Sequence, residues 1–214
     1  MKRLVIPFSA QINYHSGMDD VWAALDALDA TKLDEVAWAD YPYKPSVHMK
    51  IAHTPDSLVL AYLVKEKHVR AKYRNTNDPV YRDSCVEFFV SFDGERYYNL
   101  EFNCLGTGLI GYGTEDKSGR RLLPKHTVED IKTYSHIKAQ NSNRGDTEWQ
   151  LLLNIPFSVF DVHRIHSLAG MECMGNFYKC GDELPMPHFV SWNRIDSPVP
   201  NFHLPQYFGE LFFQ

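Results

Sequence analysis

Apolar residues follow a helical spacing in one early segment, and after that segment they follow the two-residue alternation of β-strands. The helical segment spans residues 18–30, and its apolar stripe is formed by Val21, Trp22, Leu25 and Leu28. Asp19 or Asp20 is expected to cap this helix. One short N-terminal helix is therefore predicted, followed by a chain made mostly of strands.

Residues 48–66 have the pattern of a β-hairpin. Met49 and Ile51 alternate with polar residues, and Thr54-Pro55-Asp56-Ser57 supplies turn-forming side chains. The run Leu58–Val64 that follows is apolar at every position. A strand of this kind is expected in the centre of a sheet, with both of its faces covered.

Short strands separated by Gly, Pro, Asn and Asp make up most of the rest of the chain. This spacing favours an all-β fold, an antiparallel β-sandwich or barrel, in one domain over residues 1–214. The stretches 105–130 and 179–209 look irregular and are predicted to be binding loops. The further strand segments are CVEFFVSF, YYNLEFNC, IKTYSHIKA, EWQLLLNI, GMECMGNFYKC, HFVSW and GELFF.

The position of Glu87 depends on the register of the hairpin that turns at residues 93–96. A two-residue loop would place Asn99, Glu101 and Asn103 on the apolar face, where each unpaired polar group costs roughly 1–3 kcal/mol. A three-residue loop sorts the two faces cleanly and is preferred. The polar face then consists of Cys85, Glu87, Phe89, Ser91, Tyr97, Asn99, Glu101 and Asn103.

Two interpretations of this polar face stay open. It is either a solvated outer sheet surface or a platform for a polyhydroxylated ligand. A sugar needs aromatic rings for its apolar C–H face and paired donors and acceptors for its hydroxyls. Arg82 and Asp83, beside Tyr81, would add charge-assisted hydrogen bonds at the start of the strand.

Charge and hydropathy exclude several partner classes. The net charge is −5 with 22 basic residues spread along the chain, which does not favour nucleic acid or an anionic membrane. No apolar stretch approaches the ~20 residues of a membrane span. The apolar run Leu4–Phe8 is shorter than the roughly 7–15 residues of a signal-peptide core. A cytoplasmic location is expected, or a secreted or periplasmic one if the chain was trimmed.

The sequence does not favour zinc, and structural calcium stays open. The four cysteines, Cys85, Cys104, Cys173 and Cys180, contain no C-x-x-C pair and are expected to be buried thiols. Cys173 and Cys180 are spaced to meet across a bent strand, but no disulfide is expected. The histidines lack H-E-x-x-H, and no loop has the dense carboxylate pattern of a recognisable calcium site.

Three long strings resemble carbohydrate-binding module family 9, in the form found as stand-alone or appended domains. They are DPVYRDSCVEFFVSF, YYNLEFNCLGTGLIGYG and the tail GNFYKCGDELPMPHFVSWNRIDSPVPNFHLPQYFGELFF, and the resemblance runs from about residue 20 to the end. It implies a jelly-roll-like β-sandwich and non-catalytic binding of sugars, often at chain ends. Members are commonly attached to xylanases, and some bind structural calcium.

The resemblance also implies site residues. Tyr81 falls where xylanase-linked members carry one stacking tryptophan, and Glu87 falls on their hydroxyl-binding acid. Trp192 is similar to the second stacking tryptophan, and Arg82 and Asn103 are the candidates for the arginine and amide contacts. The tyrosine at position 81 is a departure from the family pattern.

The function expected from these observations is binding of a plant-type oligo- or polysaccharide, such as xylan or glucan chain ends, in support of carbohydrate catabolism by a bacterial monomer without a cofactor. Two alternatives stay open. Glu87 and Glu101 are a carboxylate pair of the kind that glycoside hydrolysis needs. A sandwich scaffold also serves non-sugar interaction modules, since a fold does not fix a function.

Overall fold

Alternating apolar residues build two β-sheets that pack face to face. The structure is a computed structural model and describes residues 1–139 and 145–214. One sheet has the strand order β1-β13-β11-β5-β6-β7-β8 with β12 beside β11, and the other has the order β2-β3-β4-β10-β9. The strands are β1 Arg3–Ile6, β2 Thr31–Leu33, β3 Ser46–His53, β4 Ser57–Glu66, β5 Cys85–Ser91, β6 Tyr97–Asn103, β7 Gly108–Gly113, β8 Arg121–Leu122, β9 Lys132–Ala139, β10 Thr147–Pro156, β11 Glu172–Cys180, β12 Phe189–Ser191 and β13 Gly209–Phe213.

The pairing is antiparallel except between β1 and β13, which are parallel. The predicted all-β antiparallel sandwich is confirmed. β4 is central, as predicted, because it pairs with β3 on one side and β10 on the other. Its inward residues, such as Leu60 and Tyr62, join the core between the sheets, and its outward residues Val59 and Ala61 pack under the N-terminal helix.

The N-terminal helix, α1, spans Met18–Asp26 and buries Val21 and Leu25. Its N-cap is Gly17, so the prediction that Asp19 or Asp20 caps it is wrong. The helix begins at Met18, the first residue of the predicted segment, so both acids lie in the first turn, where negative charge stabilises the helix dipole. No helix in the described part of the chain is long and apolar enough to cross a membrane.

The stretch 105–130 is not an irregular loop. It contains β7, β8 and a second short helix, α2, at Lys125–Glu129. Glycines concealed the strand pattern of β7. Gly111 lies opposite Asn99, and a Cβ there would come within 2.6 Å of the Asn99 Oδ1. Glycine is therefore required by this close approach of β7 to β6.

The β5–β6 hairpin has the register that the sequence predicted. Val86 pairs with Phe102, Glu87 with Glu101, and Phe88 with Leu100. The turn is held by Asp93, whose carboxylate accepts hydrogen bonds from the backbone N–H groups of residues 95 and 96 at 2.8 and 2.9 Å. Gly94 has a φ of +77°, which favours glycine.

The polar face of this hairpin is buried, so the solvated-surface interpretation is wrong. Glu87 and Glu101 are only 3% and 5% exposed. The half of the face that carries Phe89 and Tyr97 is covered by the apolar side chains of the 192–208 segment, including Phe202 and Phe208. The half that carries the two acids opens into a cavity.

Candidate functional site

A cavity of about 410 Å³ lies over the outward face of β5, β6 and β11. This volume is in the range of small-molecule sites, roughly 300–1,000 Å³. We define the cavity floor as Glu87, Asn99, Glu101 and Cys180, which all line it. Neighbouring strands place these side chains together because Glu87 pairs directly with Glu101, and Cys180 lies on the adjacent strand.

The walls combine apolar and charged groups. Asp182 and His203, from the stretch 179–209 that was predicted to be a binding loop, also line the cavity. The apolar wall residues are Tyr81, Leu109, Phe189 and Phe202. The basic wall residues are Lys117, Arg120 and Arg121, from the segment between β7 and α2.

A chain of hydrogen bonds orients the floor. Arg120 donates to the Tyr97 carbonyl at 3.1 Å and to the Asn99 Oδ1, and its guanidinium lies 4.1 Å from the Tyr97 ring centre. With its oxygen held in this way, Asn99 donates through Nδ2 to the Glu101 Oε1 at 2.8 Å. The second oxygen, Glu101 Oε2, is buried without a hydrogen-bond partner among the described residues.

The two floor acids retain protons more strongly than ordinary glutamates. Burial, and then the charge of Glu101, raise the pKa of Glu87 well above its usual value. Burial raises the pKa of Glu101 to about 7, against the opposing effects of Asn99 and Arg120. Cys180 donates its thiol to the Glu87 Oε1 at 3.0 Å. The floor can therefore present both protonated and ionised carboxyl groups near neutral pH.

Tyr81 reaches the cavity from a single 3-10 turn, Val80–Arg82, just before β5. Its carbonyl accepts the backbone N–H of Asp182 at 3.3 Å, and the Arg82 carbonyl accepts that of Glu183 at 3.2 Å. These two bonds tie the turn to the segment after β11. Burial raises the pKa of Asp182 to about 6.

Arg82 does not line the cavity. Its side chain is 44% exposed, pairs with Glu183 at 3.3 Å and lies 5.7 Å from the Tyr81 ring centre. Asp83 is fully buried and accepts hydrogen bonds from the Tyr73 backbone N–H at 2.9 Å and from the Asn103 Nδ2 at 3.1 Å. Asp83 and Asn103 therefore hold the loop that carries Tyr81, and Asn103 is not brought into the cavity.

Comparison with known proteins identifies the family. A family model described as carbohydrate-binding family 9 matches residues 19–213. The chain belongs to carbohydrate-binding family 9. A comparison with curated proteins finds no match.

Solved structures agree with this family 9 assignment. A candidate carbohydrate-binding protein from Bacteroides uniformis is 40% identical, with a TM-score of 0.91 over 100% of this chain and 99% of that one. A family 9 module from Caldicellulosiruptor kristjanssonii in complex with glucose is 12% identical, with a TM-score of 0.61 over 100% and 96% of the two chains. The same organism's module in complex with cellotriose is 11% identical, with a TM-score of 0.58 over 100% and 94%. These two modules share the fold.

The family 9 resemblance suggests three residues as the core of the site. Tyr81 and Glu87 both line the cavity, but Trp192 does not. Trp192 is 4% exposed, packs against Phe177 in the core between the sheets and contacts Gly209. Its backbone N–H donates to the Phe177 carbonyl, which places it beside an inward residue of β11. Trp192 therefore cannot stack on a ligand beside Tyr81, and that expectation is wrong.

Phe189 lines the cavity instead, and the sequence analysis missed it. In β12, Phe189 pairs with Cys180 and Ser191 pairs with Tyr178, so both lie on the outward face with the cavity floor. Trp192 is three residues after Phe189 and therefore faces the opposite way. The alternation within HFVSW separates the two aromatics, but only the pairing with β11 shows which one faces the cavity.

Proposed function

We propose that the cavity binds a terminal sugar unit of a plant-type glucan or xylan without cleaving it, in support of carbohydrate catabolism. The observation that carries this proposal is the buried Glu101 Oε2, which has no partner among the described residues and lies in a residue that lines the cavity. A buried polar atom of this kind costs roughly 1–3 kcal/mol unless a ligand supplies the missing hydrogen bond. A sugar hydroxyl supplies it.

The chemistry of the floor suits hydroxyl groups. A hydroxyl both donates and accepts hydrogen bonds, and so does a carboxyl pair that holds protons near neutral pH. Asn99 adds an amide whose orientation is fixed by Arg120. Four groups on three adjacent strands can thus pair with several hydroxyls on one edge of a sugar ring.

The aromatic walls suit the apolar face of the same ring. Tyr81 and Phe189 both line the cavity, and both are only partly buried. Sugar C–H groups pack on such rings, as apolar surface does generally. Tyr81 and Phe189 are therefore proposed as the stacking residues, in place of the pair Tyr81 and Trp192.

Calorimetric titration with glucose, cellotriose and xylo-oligosaccharides tests the proposal. Tyr81→Ala and Phe189→Ala should each weaken binding about tenfold, because loss of an aromatic contact costs about 1.4 kcal/mol. Trp192→Phe is the matched control, since it changes an aromatic residue outside the cavity and should leave the affinity unchanged. Absence of binding by the folded wild-type protein to all three sugars at millimolar concentration would overturn the proposal.

A glycoside hydrolase is the second candidate, favoured by the carboxyl pair. Glu87 and Glu101 are directly opposite each other, so their Cβ atoms are about 4.5–5.5 Å apart, and both have raised pKa values. Retaining glycosidases use two carboxyl groups about 5–5.5 Å apart. A panel of aryl glycosides separates the candidates: phenol release that Glu101→Gln abolishes would establish the enzyme, and binding without release supports the proposed function.

A further inference from the structure

Two buried cysteines face each other on neighbouring strands, and one of them, Cys180, lines the cavity. Cys85 of β5 and Cys180 of β11 are direct partners in the antiparallel register, so their side chains lie on the same face. Glu87 is two residues further along β5 and shares that face. Cys173 and Cys180 do not meet across a bent strand, because both lie on β11 and the partner of Cys180 on β5 is Cys85.

The donor atoms of these three residues are close enough to hold one ion. The two Sγ atoms and a Glu87 carboxylate oxygen all lie within 4.8 Å of one another. Cys180 and Glu87 line the cavity, which gives an ion a path to the site. Within residues 1–139 and 145–214, no other three Cys, His, Asp or Glu side chains form such a group.

We propose that Cys85, Cys180 and Glu87 form a binding site for a thiophilic divalent metal ion of the zinc class, at the base of the cavity. Two sulfurs and a carboxylate oxygen match the ligands that Zn²⁺ prefers, at about 2.3 Å for sulfur and about 2.0–2.2 Å for oxygen. A site with two thiolate ligands does not suit Ca²⁺ or Mg²⁺, because these ions prefer oxygen ligands. Zn²⁺ is usually bound by four ligands in a tetrahedral arrangement. Three protein ligands leave the fourth coordination position free, and this position would face the cavity.

Metal binding must displace protons. Burial raises the pKa of Cys85 to about 12 and that of Cys180 well above its usual value, so both thiols are protonated without a metal. Each thiol gives its proton to solvent as its sulfur bonds to the ion, and the Glu87 carboxyl, whose pKa is raised well above its usual value, also gives up the proton that it holds before its oxygen binds. The affinity should therefore increase with pH.

Cadmium ion is the probe, because its thiolate complexes absorb in the ultraviolet and it competes with Zn²⁺ for the same ligands. The full-length protein, reduced with a phosphine and freed of metal, should bind one Cd²⁺ with a thiolate charge-transfer band that Zn²⁺ displaces. Cys85→Ser and Cys180→Ser should each lose the band, and Glu87→Gln should weaken binding about tenfold. Cys104→Ser and Cys173→Ser are matched controls, because each removes a buried thiol outside the proposed metal site. Both variants should retain the thiolate charge-transfer band.

The cadmium-113 NMR shift of the wild-type protein keeps the proposal testable if the serine variants fail to fold. A shift in the range of a mixed ligand set with two sulfurs supports it. A folded wild-type protein that shows no thiolate band, a shift typical of oxygen ligands alone, or a band that persists in a folded Cys180→Ser variant would each overturn it.

Discussion

The protein buries carboxylates both between its sheets and at the cavity floor, and these two sites differ in the groups that surround the acids. Between the sheets, Glu66 pairs with Lys179 at 3.0 Å and accepts the indole N–H of Trp149 at 2.7 Å. Lys179 also donates to the Cys180 carbonyl at 2.8 Å and contacts the His188 Nε2 at 2.8 Å. Burial lowers the pKa of His188 to about 3, so the imidazole is neutral and accepts from the lysine.

At the cavity floor, Glu87 and Glu101 are as deeply buried but face each other, with no cation within ion-pair distance of either among the described residues. Lys179 and Cys180 are consecutive in β11, so the same strand sends a cation to the core and a thiol to the cavity. The ion pair inside the sandwich joins β4 of one sheet to β11 of the other. An acid without a counter-ion at a cavity costs stability and keeps its hydrogen-bonding capacity for a ligand.

Breaking the core pair should have the largest effect. Lys179→Met leaves Glu66 buried without its cation, and removal of one partner from a buried ion pair costs about 3–5 kcal/mol in the free energy of unfolding. Urea denaturation followed by tryptophan fluorescence measures this loss. Lys32→Met removes an exposed lysine of β2, in the sheet that carries Glu66, and should change stability by less than about 1 kcal/mol. If Lys179→Met lowered the free energy of unfolding by no more than the control does, the ion pair would not distinguish the core site from the cavity floor.

Neutralising an acid of the cavity floor should increase the stability of the protein instead of decreasing it. The pKa of Glu101 is raised from 4.5 to about 7, so its favourable contribution is present below about pH 4.5 and is lost as pH rises through 7. Glu101→Gln avoids this loss, because glutamine does not ionise. The variant should therefore gain stability over wild type between pH 5 and pH 8, by about 1.4 kcal/mol for each unit of pKa shift.

Melting temperatures of both proteins at several pH values between 5 and 8 measure the difference. Glu95→Gln is the control, since it neutralises an exposed glutamate in the turn of the same hairpin and should follow the wild-type profile. A constant gap between Glu101→Gln and wild type over the whole range would contradict an ionising, unpaired Glu101.

The same Glu101→Gln variant should bind sugar more weakly although it is more stable. A hydrogen bond to a charged group contributes about 1 kcal/mol more than a neutral one, so the dissociation constant should rise about fivefold at pH 8. Calorimetry with the best of the tested sugars measures it. Unchanged affinity would show that the cost of burying this acid is not linked to ligand binding.

The smallest effect is expected at the rim. Arg82 forms an exposed ion pair with Glu183, and such pairs contribute about 0–1 kcal/mol. Arg82→Ala should therefore change both the stability and the sugar affinity by less than about 1 kcal/mol. A larger loss of affinity, with stability intact, would return Arg82 to the binding residues that the family resemblance implied.

The sequence alone determined the β5–β6 hairpin and which of its side chains lie together. The two-residue period and the three-residue loop required Glu87, Asn99 and Glu101 to share one face, because the other register would bury amides and an acid in the core. These are local constraints, and the structure has the same register. The same local reasoning placed β4 at the centre of its sheet, since its residues are apolar on both faces.

Only the tertiary structure decided which face carries the site and which aromatics reach it. Whether the polar face is open or covered depends on the 192–208 segment, which is remote in sequence from β5 and β6. The role of Phe189 depends on the pairing of a three-residue strand with β11, and so does the burial of Trp192. Short strands have too few residues to specify a partner by their own pattern. Long-range packing therefore placed Phe189 at the cavity, Trp192 in the core, and Cys180 opposite Cys85.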